Sequence, residues 1–174
     1  MSGRLSFSFH RAARDLRDAR LLMGKQLSAL WHDQYYFNGE KDPGYVGFLE
    51  WCFGEGEVLS MYLLSDGESV GADSLPLDTP VSFEIEPNAS CAWKRESLLA
   101  SLSADHLEGA IVRDVEGVLD TATEQEPRLV GFRVSFETGD YLVFLNNGDE
   151  AAVLINSQPS PCLGIDTRFV TSID

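Results

Sequence analysis

The chain is poor in most residues and motifs that announce chemistry. Its 174 residues include only three cysteines and three histidines. Cys52, Cys91 and Cys162 are odd in number and widely spaced, which argues against a disulfide framework and leaves no C-x-x-C pair. They read as free thiols in a reducing compartment, so a cytoplasmic location is expected. A structural zinc site needs four clustered ligands, and His10, His32 and His106 are scattered, so neither metal nor cofactor is expected. No apolar run reaches the roughly 18–20 residues of a membrane span. The basic N-terminal stretch leads into no apolar core, so no secretory signal is expected there. A G-x-S-x-G elbow, a Walker loop, G-x-G-x-x-G before a helix and H-E-x-x-H are all missing.

Positive charge is also scarce. Lys and Arg total 13 against 28 Asp and Glu, a net charge of −15. Residues 1–25 hold six of the bases (Arg4, Arg11, Arg14, Arg17, Arg20, Lys25) and two acids, so the rest of the chain is more acidic than the total. Such a body repels nucleic acid and anionic membrane and attracts a basic protein partner. Acidity also serves plain solubility.

What the chain does have is a pattern stated twice. Gly47–Val70 reads GFLEWCFGEGEVLSMYLLSDGESV, and Gly131–Val153 reads GFRVSFETGDYLVFLNNGDEAAV. Phe53 answers Phe136, and Asp66-Gly67 answers Asn147-Gly148. Alternation gives strands, and glycine after Asp or Asn supplies the positive φ of a tight hairpin. The fold expected is a single α+β domain. A duplicated unit, a helix followed by an antiparallel meander, spans about 10–75 and again about 92–157, joined by a Pro-containing connector at 76–91. Two helices, 10–23 and 92–107, would pack against a mostly antiparallel sheet. Residues 1–9 are expected as a short strand or an arm, 25–33 as the first strand and 34–45 as a loop. Further strands are expected at 81–86, 110–120 and 167–173.

Carboxylate pairs are the one catalytic idea that the composition allows. Glu84 and Glu86, two apart on a strand, would share a face, and Glu55 and Glu57 flank a turn. Glycosidases use two such groups across a cleft, but a chain with 28 acids forms such pairs by chance. His32 and Asp33, adjacent on a strand, would point apart. The chain is therefore read as a binding protein and not an enzyme. A small enzyme with a carboxylate site and a structural or assembly subunit are the alternatives.

The expected binding residues lie in and beside the aromatic loop: Asp33, Tyr35, Tyr36, Glu40, Asp42 and Tyr45. Tyrosine anchors many interfaces because it buries much area for little rotamer entropy. The counterpart in the second unit is Asp120, Glu124 and Glu126. The opposing reading folds the aromatic loop back as a cap on the core. The segments Leu63–Gly67 (LLSDG) and Leu145–Gly148 (LNNG), with the strand starts Gly47-Phe48 and Gly131-Phe132, carry a likeness. In these the chain resembles the immunity proteins of bacterial polymorphic-toxin and contact-dependent systems. The resemblance implies tight binding to a cognate basic toxin domain, such as a nuclease or a nucleic-acid deaminase, by occluding its active site. It carries over no catalytic residues, and no feature specifies the oligomeric state.

Overall fold

The structure, a computed structural model, describes residues 7–174. It opens with α1 (Phe7–Ala19), extended by a 3-10 turn at Arg20–Leu22. Helical spacing puts Leu16, Ala19 and Leu22 into the core and leaves Arg14 and Arg17 in solvent. Residues 7–9, expected in a strand or arm, are the first turn of this helix; residues 1–6 lie outside the described part.

The first sheet contains β1 (Leu27–Phe37), β2 (Glu40–Lys41), β3 (Leu49–Phe53), β4 (Glu57–Leu63), β5 (Val70–Asp73), β6 (Phe83–Glu86) and β7 (Ala89–Ser97). Its order is β5-β4-β3-β1-β7-β6, with β2 folded back on the end of β1. A short helix α2 (Leu98–Ser101) and a 3-10 turn at Asp105–Leu107 lead into the second sheet. That sheet holds β8 (Val112–Ala122), β9 (Arg128–Phe136), β10 (Tyr141–Asn146), β11 (Ala151–Ile155) and β12 (Ile165–Val170), in the order β11-β10-β9-β8-β12. All pairings are antiparallel. The fold is α+β, but it has two sheets where one large sheet was expected.

Strand order and register recur between the sheets. Leu27 pairs with Phe53 and a bulge follows before Ala29; Val112 pairs with Phe136 and a bulge follows before Asp114. Trp51 pairs with Leu59, and Val134 with Leu142. Where the sheets meet, Gln26 bridges Ile111, and the hydrogen bonds are reciprocal. Gly24 N donates to Val112 O and Gly109 N to Leu27 O; Leu27 N donates to Ala110 O and Val112 N to Lys25 O. The helix of the expected unit does not recur. Thirteen residues are helical in α1 and four in α2.

The expected second helix, 92–107, is a correction. Most of its first half is strand β7, running antiparallel to β1 from Trp31–Ser97 to Phe37–Cys91. Trp93, Leu98, Leu99 and Leu102 fall at helical spacing, yet Trp93 belongs to the sheet. Only Leu98 and Leu99 lie in the helical turn, with Leu102 at its C-cap, and Ser97 caps the other end by accepting a hydrogen bond from Ala100 N at 3.3 Å. The long β1 presents an edge, and β7 satisfies it.

The inner faces of the sheets share one core. Leu27, Leu30, Trp51, Leu59 and Met61 from the first meet Val115, Phe132, Val134, Phe136 and Phe144 from the second. Each such side chain contributes on the order of 1.5–3 kcal/mol. The Trp51 ring lies 6.5 Å from Phe136, and its indole N–H donates to the Met61 sulfur at 3.2 Å. Helix α1 packs along β5 and reaches β9, covering what would be an open sheet edge.

Two connecting straps cross the outer faces. Residues 74–82 cross the first sheet and are pinned there. Ser60 Oγ donates to Leu75 O, Leu77 N donates to Glu50, and Thr79 Oγ1 donates to Asp33. Residues 157–164 lie over the second sheet. Their anchorage is at the base, where Asn156 N donates to Tyr141 O and Gln158 Nε2 to the Tyr141 hydroxyl.

Candidate functional site

The sequence expectation of a loop over 34–45 needs correction first. Tyr35, Tyr36 and Phe37 are the last residues of β1. Asn38 and Gly39, at φ 49° and 78°, then make a two-residue turn into β2. The true loop is short: Asp42 Oδ1 accepts from Gly44 N, and Asp42 N donates to Tyr35 O. Gly47 has φ 68° and passes so close to the Tyr45 ring and Asp33 O that a side chain there would crowd both.

Strand geometry splits the tyrosines. Neighbours on β1 point to opposite faces, so Tyr35 and Tyr36 part company. On the outer face, Tyr35 enters a row of four rings that crosses three strands. Tyr45 lies 5.6 Å from Tyr35, Tyr35 lies 5.2 Å from Trp93, and Trp93 lies 5.8 Å from Phe83. The tilted arrangements are those that aromatic quadrupoles favour. The Tyr35 hydroxyl sits 3.1 Å from the buried Cys91 sulfur, and this contact, more than burial, raises the phenol pKa. The row is open to solvent at its end, where Phe83 is half exposed.

Acids stand on the hairpins that carry the row, Glu40 and Asp42 on the Tyr35 and Tyr45 side and Glu84 and Glu86 just after Phe83 on β6. Glu40, Asp42, Glu84 and Glu86 are all exposed. The two hairpin tips are tied together, since Asn38 N donates to Ser90 O and Ser90 N to Asn38 Oδ1. This tie sets Glu84 and Glu86 beside the Asn38 turn. The Glu84–Glu86 pair is not the same-face pair expected. A bulge sets Glu84 opposite Ser90 and Glu86 opposite Ala89, adjacent residues on β7 that face opposite ways.

The other candidate residues fall elsewhere. Tyr36 is no open anchor: its hydroxyl donates to Glu96, and Lys94 Nζ lies 4.5 Å over its ring. Glu96 also takes Lys41 at 3.1 Å. The Tyr36 hydroxyl first, and then Lys41, hold the Glu96 carboxyl below its ordinary range. Asp33 is buried under the strap, accepting from Thr79 at 2.8 Å, so it is not presented to a partner. Asp120 accepts from Thr167 at 2.6 Å on the outer face of the second sheet. Glu124 sits in the following turn at φ 61°, and Glu126 lines two grooves at that end. The two expected sets therefore belong to different sheets. Tyr35, Tyr45, Glu40 and Asp42 gather around the ring row; Asp33 and Tyr36 do not join them.

Trp93 and Phe83 complete the row and were missed as site residues. Trp93 was absorbed into an apparent helical stripe, and Phe83 into a connector. The usable signal was the alternation Cys91-x-Trp93-x-Arg95 beside Val81–Glu86.

Among the described residues, no group of three or more His, Cys, Asp or Glu could hold a metal ion, and no helix is long and apolar enough to cross a membrane. Comparison with protein-family models, with curated proteins and with solved structures finds no match to this chain.

Proposed function

We propose that this chain is a non-catalytic acidic binding protein that seats a basic segment of a protein partner on the ring row. The observation that carries this is the row Tyr45–Tyr35–Trp93–Phe83, carried on two tied hairpins that also bear exposed carboxylates. A guanidinium or ammonium over such a ring is worth about 0.5–2 kcal/mol, more as water leaves. The carboxylates supply the counter-charge, and a net charge of −15 steers a basic partner from a distance.

In the more specific form, the protein is an immunity protein. The partner is a basic toxin domain whose active-site cleft closes over the row and is thereby blocked from its substrate. The resemblance of the turn and strand-start segments and the acidity both support this form. Binding should be measured against the products of the adjoining reading frames, together with the activity of any basic domain among them. The expected result is a one-to-one complex that silences the domain, weakened when Trp93→Ala or the pair Glu84→Lys and Glu86→Lys is introduced. Inhibition that is unchanged by both variants would move the site away from the ring row. No binding at all would reject the immunity form.

A further inference from the structure

The two edges of the first sheet are treated differently. Helix α1 covers β5 at one edge. At the other, β6 pairs only with β7 among the described residues, so the N–H and C=O groups on its outer side meet no strand. All four residues of β6 are exposed. Large apolar side chains in it and just before it stand in water as well: Val81 is 85% exposed, Phe83 51% and Ile85 58%. An unpaired edge flanked by exposed apolar side chains favours a strand that covers both. The edge strands of the second sheet offer less. β11 is half-buried throughout, and β12 exposes mainly polar residues that are already paired, Thr167 with Asp120 and Arg168 with Asp166.

Charge selects the kind of strand. Phe83 takes the ring face beside Trp93, and its neighbour Glu84 takes the other face. Glu84 and Glu86 form no ion pair among the described residues. A second copy of the chain, added edge to edge, would set these acids against their own counterparts, which is destabilising. A basic strand meets them favourably, so the same acids that discourage self-pairing admit a basic partner.

We infer that the free edge of β6 takes up an extended basic segment of a protein partner as an added strand. Lysine or arginine side chains of that segment stand beside Glu84 and Glu86, and an apolar one stands beside Phe83. Main-chain hydrogen bonds supply affinity and the alternate side chains supply specificity. This rests on the reading that the ring row seats a basic partner, and adds the mode in which it is held.

The test titrates the intact chain with the capped peptide Lys-Val-Lys-Val-Lys-Val and with two N-methylated forms, one methylated at every lysine nitrogen of the main chain and the other at every valine nitrogen. Alternate residues of a strand turn their amides to opposite edges, so only one form loses its bonds to β6. The parent peptide is expected to bind saturably, one methylated form about tenfold or more weaker and the other within about twofold of the parent. Glu84→Lys, an exposed change, should weaken the parent peptide several-fold. Equal binding of the two methylated forms would overturn the strand; if Trp93→Ala still weakens them, the basic segment on the ring row stands without it. No saturation up to about ten millimolar, or an affinity untouched by Glu84→Lys, would also overturn the inference. Self-association of the intact chain that Phe83→Lys abolishes would overturn it in favour of a second copy.

Discussion

Glu50 on β3 and Arg133 on β9 hold equivalent places in the two sheets. Glu50 pairs with Trp31 on β1 and Ser60 on β4; Arg133 pairs with Glu116 on β8 and Val143 on β10. Each centres a charged group on an outer face, but the signs are exchanged. In the first sheet, Glu50 takes Arg95, which lies 5.9 Å from the Trp31 ring, and also accepts from Leu77 N. In the second, Arg133 donates to both Glu116 oxygens at 2.9 Å and covers the Phe169 ring at 3.8 Å. The same holds further along. Tyr35 faces Trp93 in one sheet where Asp120 faces Thr167 in the other. One strand plan thus carries two surfaces. The first has a polar face with a pinned strap and a row of rings. The second has an apolar face built on Val118, Val130 and Leu145, above which a groove of about 510 Å³ remains. Register fixes where side chains stand; the residue types on the outer face decide what each sheet does.

The sharpest way to break this comparison is through the shared core. Trp51→Ala should cost about 3–5 kcal/mol, and both sheets should melt in one transition followed by circular dichroism and fluorescence together. Two separate transitions would mean that the sheets are not one cooperative unit.

Next come the exchanged charges. Glu50 is 5% exposed on its side chain, and Glu116 is 17% exposed. Glu50→Ala leaves Leu77 N without its acceptor and Arg95 without its acid, and should cost about 3 kcal/mol in urea unfolding. Glu116→Ala should cost about 1 kcal/mol. Equal costs would show that the first sheet's face is not the more tightly closed one.

Gly131 offers a third contrast. A methyl group there would run into the Phe144 carbonyl oxygen and the Leu145 side chain, so Gly131→Ala should cost about 2 kcal/mol. Phe48, one residue before β3, stands at the equivalent chain position, is 43% exposed and meets the Tyr62 ring edge-on; Phe48→Ala should cost only about 1 kcal/mol.

The smallest effect is a pH dependence. Glu96 has its folded pKa lowered below 4.5, chiefly by the Tyr36 hydroxyl. Its contribution is therefore present above 4.5 and is lost as pH falls through the lowered value. Tyr36→Phe should lower stability slightly at neutral pH, and the gap from the parent should close as the solution is acidified below 4.5. A gap that is constant with pH would mean that Tyr36 acts by packing alone.

The strands were legible where glycine and alternation coincide. Asn38-Gly39, Gly54 with Gly56, Asp66-Gly67 and Asn147-Gly148 all sit at turns, and the strands between them lie close to where alternation puts them. The first helix was legible from Leu16 and Ala19, though its true stripe runs through Leu22 and leaves Met23 exposed. The failures share a cause. Tyr35-Tyr36-Phe37 breaks alternation because both faces of β1 carry rings at that end, so three strand residues read as a loop. Trp93 happens to precede Leu98, Leu99 and Leu102 at helical spacing, and local pattern could not reveal the long β1 edge that draws residues 89–97 into the sheet. Half of the site followed: Tyr35, Tyr45, Glu40 and Asp42 were legible, while their partners Trp93 and Phe83 depend on a pairing across distant strands. Asp33 was misread because nothing local shows that Thr79 of the strap closes over it.

The most direct measurement of the central claim compares equivalent positions in the binding assay. Trp93→Ala removes a ring from the row; Thr167→Ala alters the matching place on the second sheet. Dissociation rates should be measured for each variant with whichever product of the adjoining reading frames binds the chain. The account predicts a rise of about 30-fold for Trp93→Ala, equivalent to about 2 kcal/mol, and less than about twofold for Thr167→Ala. A rate changed by Thr167→Ala and left alone by Trp93→Ala would contradict it, and would place the partner on the second sheet.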